Sequence, residues 1–153
     1  MLTTESMARI RESFALLSPQ MDRVTENFYH RLFAARPEVR VLFRTDLKPQ
    51  QQHLAAALAL IVRNLTMLDA LAGPFNQLGA DHARAGVRPD HYPVVRDAML
   101  AAMADALAST GAWTTQLADD WRQLLERIAT HMLQGGMSRK TAQESSFRDC
   151  KQL

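Results

Sequence analysis

The chain has 153 residues and a mass of 17.2 kDa, which is enough for one domain with a substantial hydrophobic core. Apolar residues make up 47% of the sequence and charged residues 22%, proportions that are ordinary for a soluble globular protein. The formal net charge is only +2, and the arginines are interleaved with acids instead of forming a basic stripe. Nucleic acid is therefore excluded as an expected partner.

The N-terminal residues and the single cysteine indicate in which cellular compartment the protein is expected. The first residues include an early acid and no apolar run of signal-peptide length, and no stretch approaches the ~18 apolar residues of a membrane-spanning helix. Cys150 has no second cysteine with which to form an intramolecular disulfide. We therefore expect a cytoplasmic protein that does not enter a membrane.

The spacing of apolar residues predicts an all-α chain with six principal helices and one short one, and no strand alternation. Thr3 or Thr4 can cap the first helix. Ser18-Pro19 ends that helix and starts the second, which should end near Arg36. A short third element follows over residues 37–43.

The clearest apolar face in the sequence runs from Gln50 to Leu68 and predicts one long helix with Pro49 in its first turn. Gly73-Pro74 separates this helix from the next one. That next helix should end at Gly86, because glycine is favoured in the left-handed conformation just past a helix end.

The last two helices are bounded by prolines, threonines and glycines. Pro89 and Pro93 bracket the start of the fifth principal helix, since proline is tolerated only in a first turn. Thr114 or Thr115 can cap the last helix, and Gly135-Gly136 should stop it. The expected organisation is one domain over residues 1–136, followed by a loosely ordered polar tail.

His82 is the first candidate for a functional residue. Phe75, Leu78 and His82 recur at i, i+3 and i+7, so the imidazole shares a helix face with two large apolar side chains. A histidine in this setting is more often a core residue satisfied by a nearby carbonyl than a metal ligand. The local spacing leaves both interpretations open.

Five segments, in order and at matching spacings, decide between these interpretations because they resemble bacterial single-domain globins and the haem domain of flavohaemoglobins. The segments are 27–33, 36–43, 48–50 with Leu54, 78–82, and 86–92 with Val95. The resemblance implies a globin fold of crossed helices, a haem-binding domain over residues 1–136, a polar tail over 137–153, and haem b as cofactor.

The same resemblance implies roles for individual residues. His82 would be the ligand of the haem iron, with its second ring nitrogen bonded to the carbonyl of Leu78. Phe43 would pack against the haem. Tyr29 and Gln50 would form the distal pair, since a bound oxygen ligand carries partial negative charge and both side chains can donate hydrogen bonds to it.

The resemblance also implies further haem-site residues, and several of them have another possible role. His53 lies three residues after Gln50 and could replace it as the distal residue, or could lie at the pocket rim near a haem propionate. The other expected haem contacts are Leu54, Val87, Tyr92 and Val95; ordinary helix packing explains the aliphatic members about as well. His30, His91 and His131 are expected at the surface or its edge. A proximal glutamate of the flavohaemoglobins falls, by register from Trp121, on Gly136, so that acid is absent.

The resemblance implies a haem protein that binds O2, with NO and CO as further gaseous ligands, for oxygen binding, storage or delivery. The alternative is a nitric oxide dioxygenase. We expect no reductase module in the chain, so turnover would need a separate flavin- and NAD(P)H-dependent reductase. A haem-free helical interaction module is the remote alternative, and the protein is expected to be a monomer or homodimer.

Overall fold

The computed structural model describes residues 1–43 and 46–149, with side chains as far as Ser138. Within these ranges the chain is helical and has no strand. The six α-helices are α1 (Thr4–Leu17), α2 (Met21–Ala35), α3 (Leu47–Arg63), α4 (Ala72–Ala85), α5 (His91–Leu107) and α6 (Thr115–Asp149). Three 3₁₀ segments join them: Ser18–Gln20, Pro37–Leu42 (the connector) and Leu65–Leu71. The predicted all-α architecture is confirmed.

Side-chain caps explain where several helices begin and end. The Thr3 hydroxyl accepts a hydrogen bond from the Ser6 amide at 3.1 Å, and Thr114 does the same for Leu117 at 3.1 Å. Gly86 ends α4 with φ = +104°, a left-handed conformation that favours glycine. These ends lie where the sequence predicts them.

The predicted long helix ends earlier than its apolar pattern indicates. α3 stops at Arg63, and Leu65 and Leu68 belong to the following 3₁₀ segment, although both are buried. The Asn64 side chain donates to the carbonyl of Leu60 at 2.7 Å, while its backbone amide turns to Ile61. The side-chain amide thus satisfies the carbonyl that the next turn of helix would have used.

The last helix continues where the sequence predicts a stop. α6 runs through Gly135 and Gly136 to Asp149, so the prediction that this pair ends the helix is wrong. A Cβ atom on Gly135 would lie 1.9 Å from the carbonyl oxygen of Asn76 in α4. Glycine is present here because the two backbones approach closely. Cys150 lies outside the described residues.

The core lies where α2 crosses α5 and where α4 packs along α6, the two most extensive helix contacts. Trp121 is fully buried in it, and its indole N–H donates to the Ser13 hydroxyl at 3.0 Å. Asp120 is also fully buried and receives two hydrogen bonds from Arg9, at 2.5 and 3.1 Å. This ion pair and the indole bond join α1 to α6.

Among the described helices, none is individually long and apolar enough to cross a membrane. One bent pair, Leu47–Arg63 with Leu65–Ala85, passes on length and composition only, with an angle of 111° between its members.

Candidate functional site

His82 lies in the last turn of α4, and its ring is half-buried. Its Nδ1 atom is 2.8 Å from the carbonyl oxygen of Leu78. A carbonyl can only accept, so Nδ1 must carry the proton and Nε2 keeps its lone pair. Burial lowers the pKa of His82, although the bond to Leu78 opposes that shift. The imidazole is therefore neutral near pH 7 and oriented as a metal ligand requires.

The backbone after His82 turns sharply and brings more apolar side chains to the same side. The Val87 amide donates to the His82 carbonyl at 2.9 Å, which closes the helix end. Val87, Tyr92 and Val95 are all half-buried. Burial raises the pKa of Tyr92, so its hydroxyl stays protonated at neutral pH.

Position 136 lies against the helix that carries His82. A Cβ atom on Gly136 would be 3.4 Å from the Cβ atom of Ala83 and 3.5 Å from the carbonyl oxygen of Gly79. These are ordinary contact distances, so a side chain there would extend along α4. Gly136 carries no carboxylate with which to polarise the imidazole.

An aromatic cluster from α2 and the end of the connector forms the second part of the site. The ring of Tyr29 lies 4.9 Å from Phe28, 5.9 Å from Phe33 and 5.4 Å from Phe43, measured between centroids. Phe33 and Phe43 are 5.5 Å apart in an edge-to-face arrangement. Two of the predicted site residues, Tyr29 and Phe43, are thus in direct contact.

The hydroxyl of Tyr29 is a protonated donor. The residue is only 6% exposed, and burial raises the pKa of Tyr29 to about 12. Within the described part of the chain its hydroxyl has no hydrogen-bond partner. The side chain can therefore donate to a ligand that reaches it.

Gln50 and His53 lie on different faces of α3. Half-buried positions recur at Leu47, Gln50, Gln51 and Leu54, at the spacing of one helix face. His53 is exposed and lies off this face. The burial pattern therefore favours Gln50 over His53 as an inward-facing residue.

Gln51 is an additional polar residue that sequence reasoning did not single out. It lines a groove of about 780 Å³ together with Tyr29, Phe33 and Leu47, whereas Gln50 does not. Since Gln51 follows Gln50 on the same α3 face, its half-buried amide is a second glutamine that can act near Tyr29.

The other histidines differ in their surroundings. His30 is exposed, and His131 stacks on Phe75 with 6.3 Å between ring centroids. His91 is only 5% exposed, so the expectation that it lies at the surface or its edge is wrong. Its Nδ1 atom accepts the backbone N–H of Arg88 at 3.1 Å, a contact that turns the ring inward.

The residues present fit a haem group. A neutral imidazole with a free Nε2 atom comes from α4, and half-buried apolar side chains come from the connector, α3 and α5. The half-buried apolar residues in these segments and in the loop after α4 are Leu42, Phe43, Leu54, Val87, Tyr92 and Val95. A flat apolar cofactor that takes one imidazole ligand would match these apolar side chains, and His82 Nε2 would be the atom that holds its metal.

The globin family profile matches residues 26–132, about two thirds of the chain. The chain belongs to the globin family.

Relatives of this globin include larger proteins. It is 28% identical to a flavohaemoprotein of Rhizobium meliloti over 132 residues and 30% identical to one of Bacillus subtilis over the same length. Each match covers 84% of this chain, and the chain spans about a third of those relatives' length (32% and 33%). An uncharacterised globin-like protein of Aquifex aeolicus is 28% identical over 70% of this chain and 77% of its own length.

Solved structures share the fold. An engineered carbene transferase, built on a candidate nitric oxide dioxygenase of Rhodothermus marinus, superposes with a TM-score of 0.82 at 25% identity, over 94% of this chain and 99% of that one. A globin of Campylobacter jejuni gives a TM-score of 0.79 at 22% identity, over 91% and 99%. At 22% identity, the likeness to the Campylobacter jejuni globin shows a shared fold and nothing further.

The sequence did not predict that α4 and α6 pack closely beside His82. A Cβ atom on Gly79 would lie 1.8 Å from the carbonyl oxygen of Met132, so α4 and α6 touch through their backbones one turn before His82. A glycine in the middle of an apolar helical pattern was the available signal, because it costs about 1 kcal/mol relative to alanine unless packing requires it.

Proposed function

We propose that this globin binds haem b through His82 Nε2 and uses it to bind O2, for oxygen binding, storage or delivery. The observation that carries the proposal is the bond from His82 Nδ1 to the Leu78 carbonyl, which leaves Nε2 as the free ring nitrogen. Haem, when bound, supplies the iron site at which O2, NO or CO binds reversibly.

Tyr29 and Gln50 are the residues proposed to hold the diatomic ligand. The Tyr29 hydroxyl is protonated and buried beside Phe43, and Gln50 lies on the inward face of α3. A hydrogen bond to a ligand with partial negative charge is worth roughly 1.5–3 kcal/mol, which slows ligand escape by about tenfold to a hundredfold. Slow release follows from these donors.

A nitric oxide dioxygenase is the second candidate. The flavohaemoprotein relatives and the Rhodothermus marinus neighbour favour it, because the latter is named as a candidate dioxygenase. A separate flavin- and NAD(P)H-dependent reductase would then restore ferrous iron. Gly136 favours ligand binding over turnover, since no carboxylate there strengthens electron donation by His82. We place the protein in the cytoplasm, as a monomer or homodimer.

The test is the visible spectrum of the purified, reduced protein, with and without O2 and CO. We expect a strong haem band that shifts with each ligand, and its loss or distortion in His82→Ala. His30→Ala, at an exposed histidine, is the matched control and should retain the normal spectrum. Absence of a haem band after haem-replete expression would overturn the proposal.

The two candidate functions separate in one further assay. Nitrate formation from NO in oxygenated buffer, with a flavin reductase and NAD(P)H, measures dioxygenase turnover. Sustained turnover would favour the enzyme, whereas a single stoichiometric conversion would favour the oxygen-binding role.

A further inference from the structure

Two segments that lie next to predicted site residues are joined by ion pairs. One is the connector, which leads to Phe43; the other is the corner, residues 86–90, which follows α4 directly. Arg36, at the start of the connector, donates to Glu38 at 2.5 Å and to Asp90 at 3.0 Å. Arg88 donates to the same Asp90 carboxylate at 3.1 and 3.3 Å. Asp90 thus joins an arginine from each segment.

The hydrogen bonds from Arg88 and then Arg36 hold the pKa of Asp90 far below its usual range. The carboxylate is therefore charged near neutral pH. Isolated surface ion pairs are worth little, but this set closes a loop between two backbone segments 54 residues apart. Such a network restrains geometry more than a single pair does.

Two further contacts lie at the same junction, one between the corner and the connector and one within the corner. A Cβ atom on Gly86 would lie 3.1 Å from the Leu42 side chain, so the corner rests on the last residue of the connector. His91 is almost fully buried and accepts the Arg88 backbone N–H, while its Nε2 atom is buried with no partner in the described part of the chain. The charge interaction between His91 and Glu38 adds to the effects that lower the pKa of Glu38.

The position of the corner bears directly on His82. The His82 carbonyl accepts from the Val87 amide, so a displacement of the corner is transmitted to the turn that carries the imidazole. The contacts just described join the corner, which follows α4, to the connector.

We propose that Arg36 and Asp90 are positioning residues, which clamp the corner to the connector and thereby set the orientation of the His82 imidazole. This rests on the proposed function, since it assumes haem at His82. The two residues would act through the backbone between the corner and His82.

The test uses the haem-loaded protein and compares Arg36→Gln, Asp90→Asn and the double variant with Arg84→Gln. Arg84 pairs with Asp81 within α4 and does not reach the connector, so its loss is a matched control. The diagnostic measurement is the iron–histidine stretching frequency of the reduced protein by resonance Raman spectroscopy. Haem transfer to excess apomyoglobin and the unfolding midpoint are recorded alongside.

We expect the iron–histidine band to shift or broaden in both single variants, with haem loss about threefold to tenfold faster. The effect of the double variant should be smaller than the sum of the two single effects, because both single variants remove the Arg36–Asp90 pair. Arg36→Lys should restore the band in part. In the haem-free chain, hydrogen exchange at the Val87 amide should also accelerate.

An unshifted band in Arg36→Gln and Asp90→Asn, or a shift that Arg84→Gln reproduces, would overturn the assignment while leaving haem binding intact. A wild-type protein that shows no haem absorption band after haem-replete expression would overturn the proposed function instead. The two failures are therefore distinguishable.

Discussion

The contact between α4 and α6 beside His82 allows a sharp test of packing. In Gly79→Ala, the new Cβ atom would lie 1.8 Å from the carbonyl oxygen of Met132 and 2.4 Å from its carbon. An ordinary contact begins at about 3.4 Å, so the helices must separate by about 1.5 Å. The atoms that clash are backbone, so no side-chain rotation can relieve them.

Overpacking of this kind lowers the free energy of unfolding by about 1–3 kcal/mol. The higher helix propensity of alanine offsets up to about 1 kcal/mol of that loss. We expect Gly79→Ala to lose about 1–2 kcal/mol, or roughly 3–6 °C in the unfolding midpoint of a chain this size. Because the displaced turn precedes His82, the variant should also lose haem faster.

The assay is thermal unfolding followed by circular dichroism, on the haem-free chain so that ligand binding does not contribute. Gly73→Ala is the matched control on the same helix, because a Cβ atom there has nothing within 4 Å. It should be neutral or slightly stabilising. If Gly79→Ala proves as stable as Gly73→Ala, the inferred close approach of α4 and α6 is refuted.

Three further predictions concern the ligand side, the proximal side and the core. Tyr29→Phe removes a buried hydrogen-bond donor and should speed oxygen dissociation about tenfold or more in stopped-flow measurements. Replacing the exposed His53 by leucine is the control and should leave the rate unchanged. An unchanged rate in Tyr29→Phe would show that Tyr29 does not bind the ligand. Gly136→Glu should fold, since position 136 makes only ordinary contacts, and should lower the haem reduction potential relative to Gly136→Gln; equal potentials would show that the acid does not act on His82. Burial alone would raise the pKa of Asp120, but hydrogen bonds from Arg9, Ser6 and Gln116 lower that pKa overall. The contribution of Asp120 to folding stability is therefore present above the pKa that it has in the unfolded chain. That contribution is lost as the pH falls through the pKa of the folded protein. Asp120→Asn should therefore lose about 1–2 kcal/mol at pH 7 in urea titrations and converge with the wild type in acid; a constant difference at every pH would contradict this.

Features that depend on a few consecutive residues could be predicted from the amino-acid sequence. The caps at Thr3 and Thr114, the end of α4 at Gly86 and the bond from His82 to Leu78 all arise within one helical turn. Such hydrogen bonds form among neighbours in the chain, so spacing and residue type suffice to predict them.

Features that depend on contact with another helix could not be predicted in this way and follow from the fold. A pair of glycines can end a helix or admit a neighbouring backbone, and the contact of Gly135 with Asn76 selects the second. The burial of His91, the inward face of Gln50 and the ion pair between Arg36 and Asp90 depend likewise on partners far away in sequence. Periodicity reports that a residue faces something apolar, whereas the identity and distance of that neighbour are set by how the helices cross.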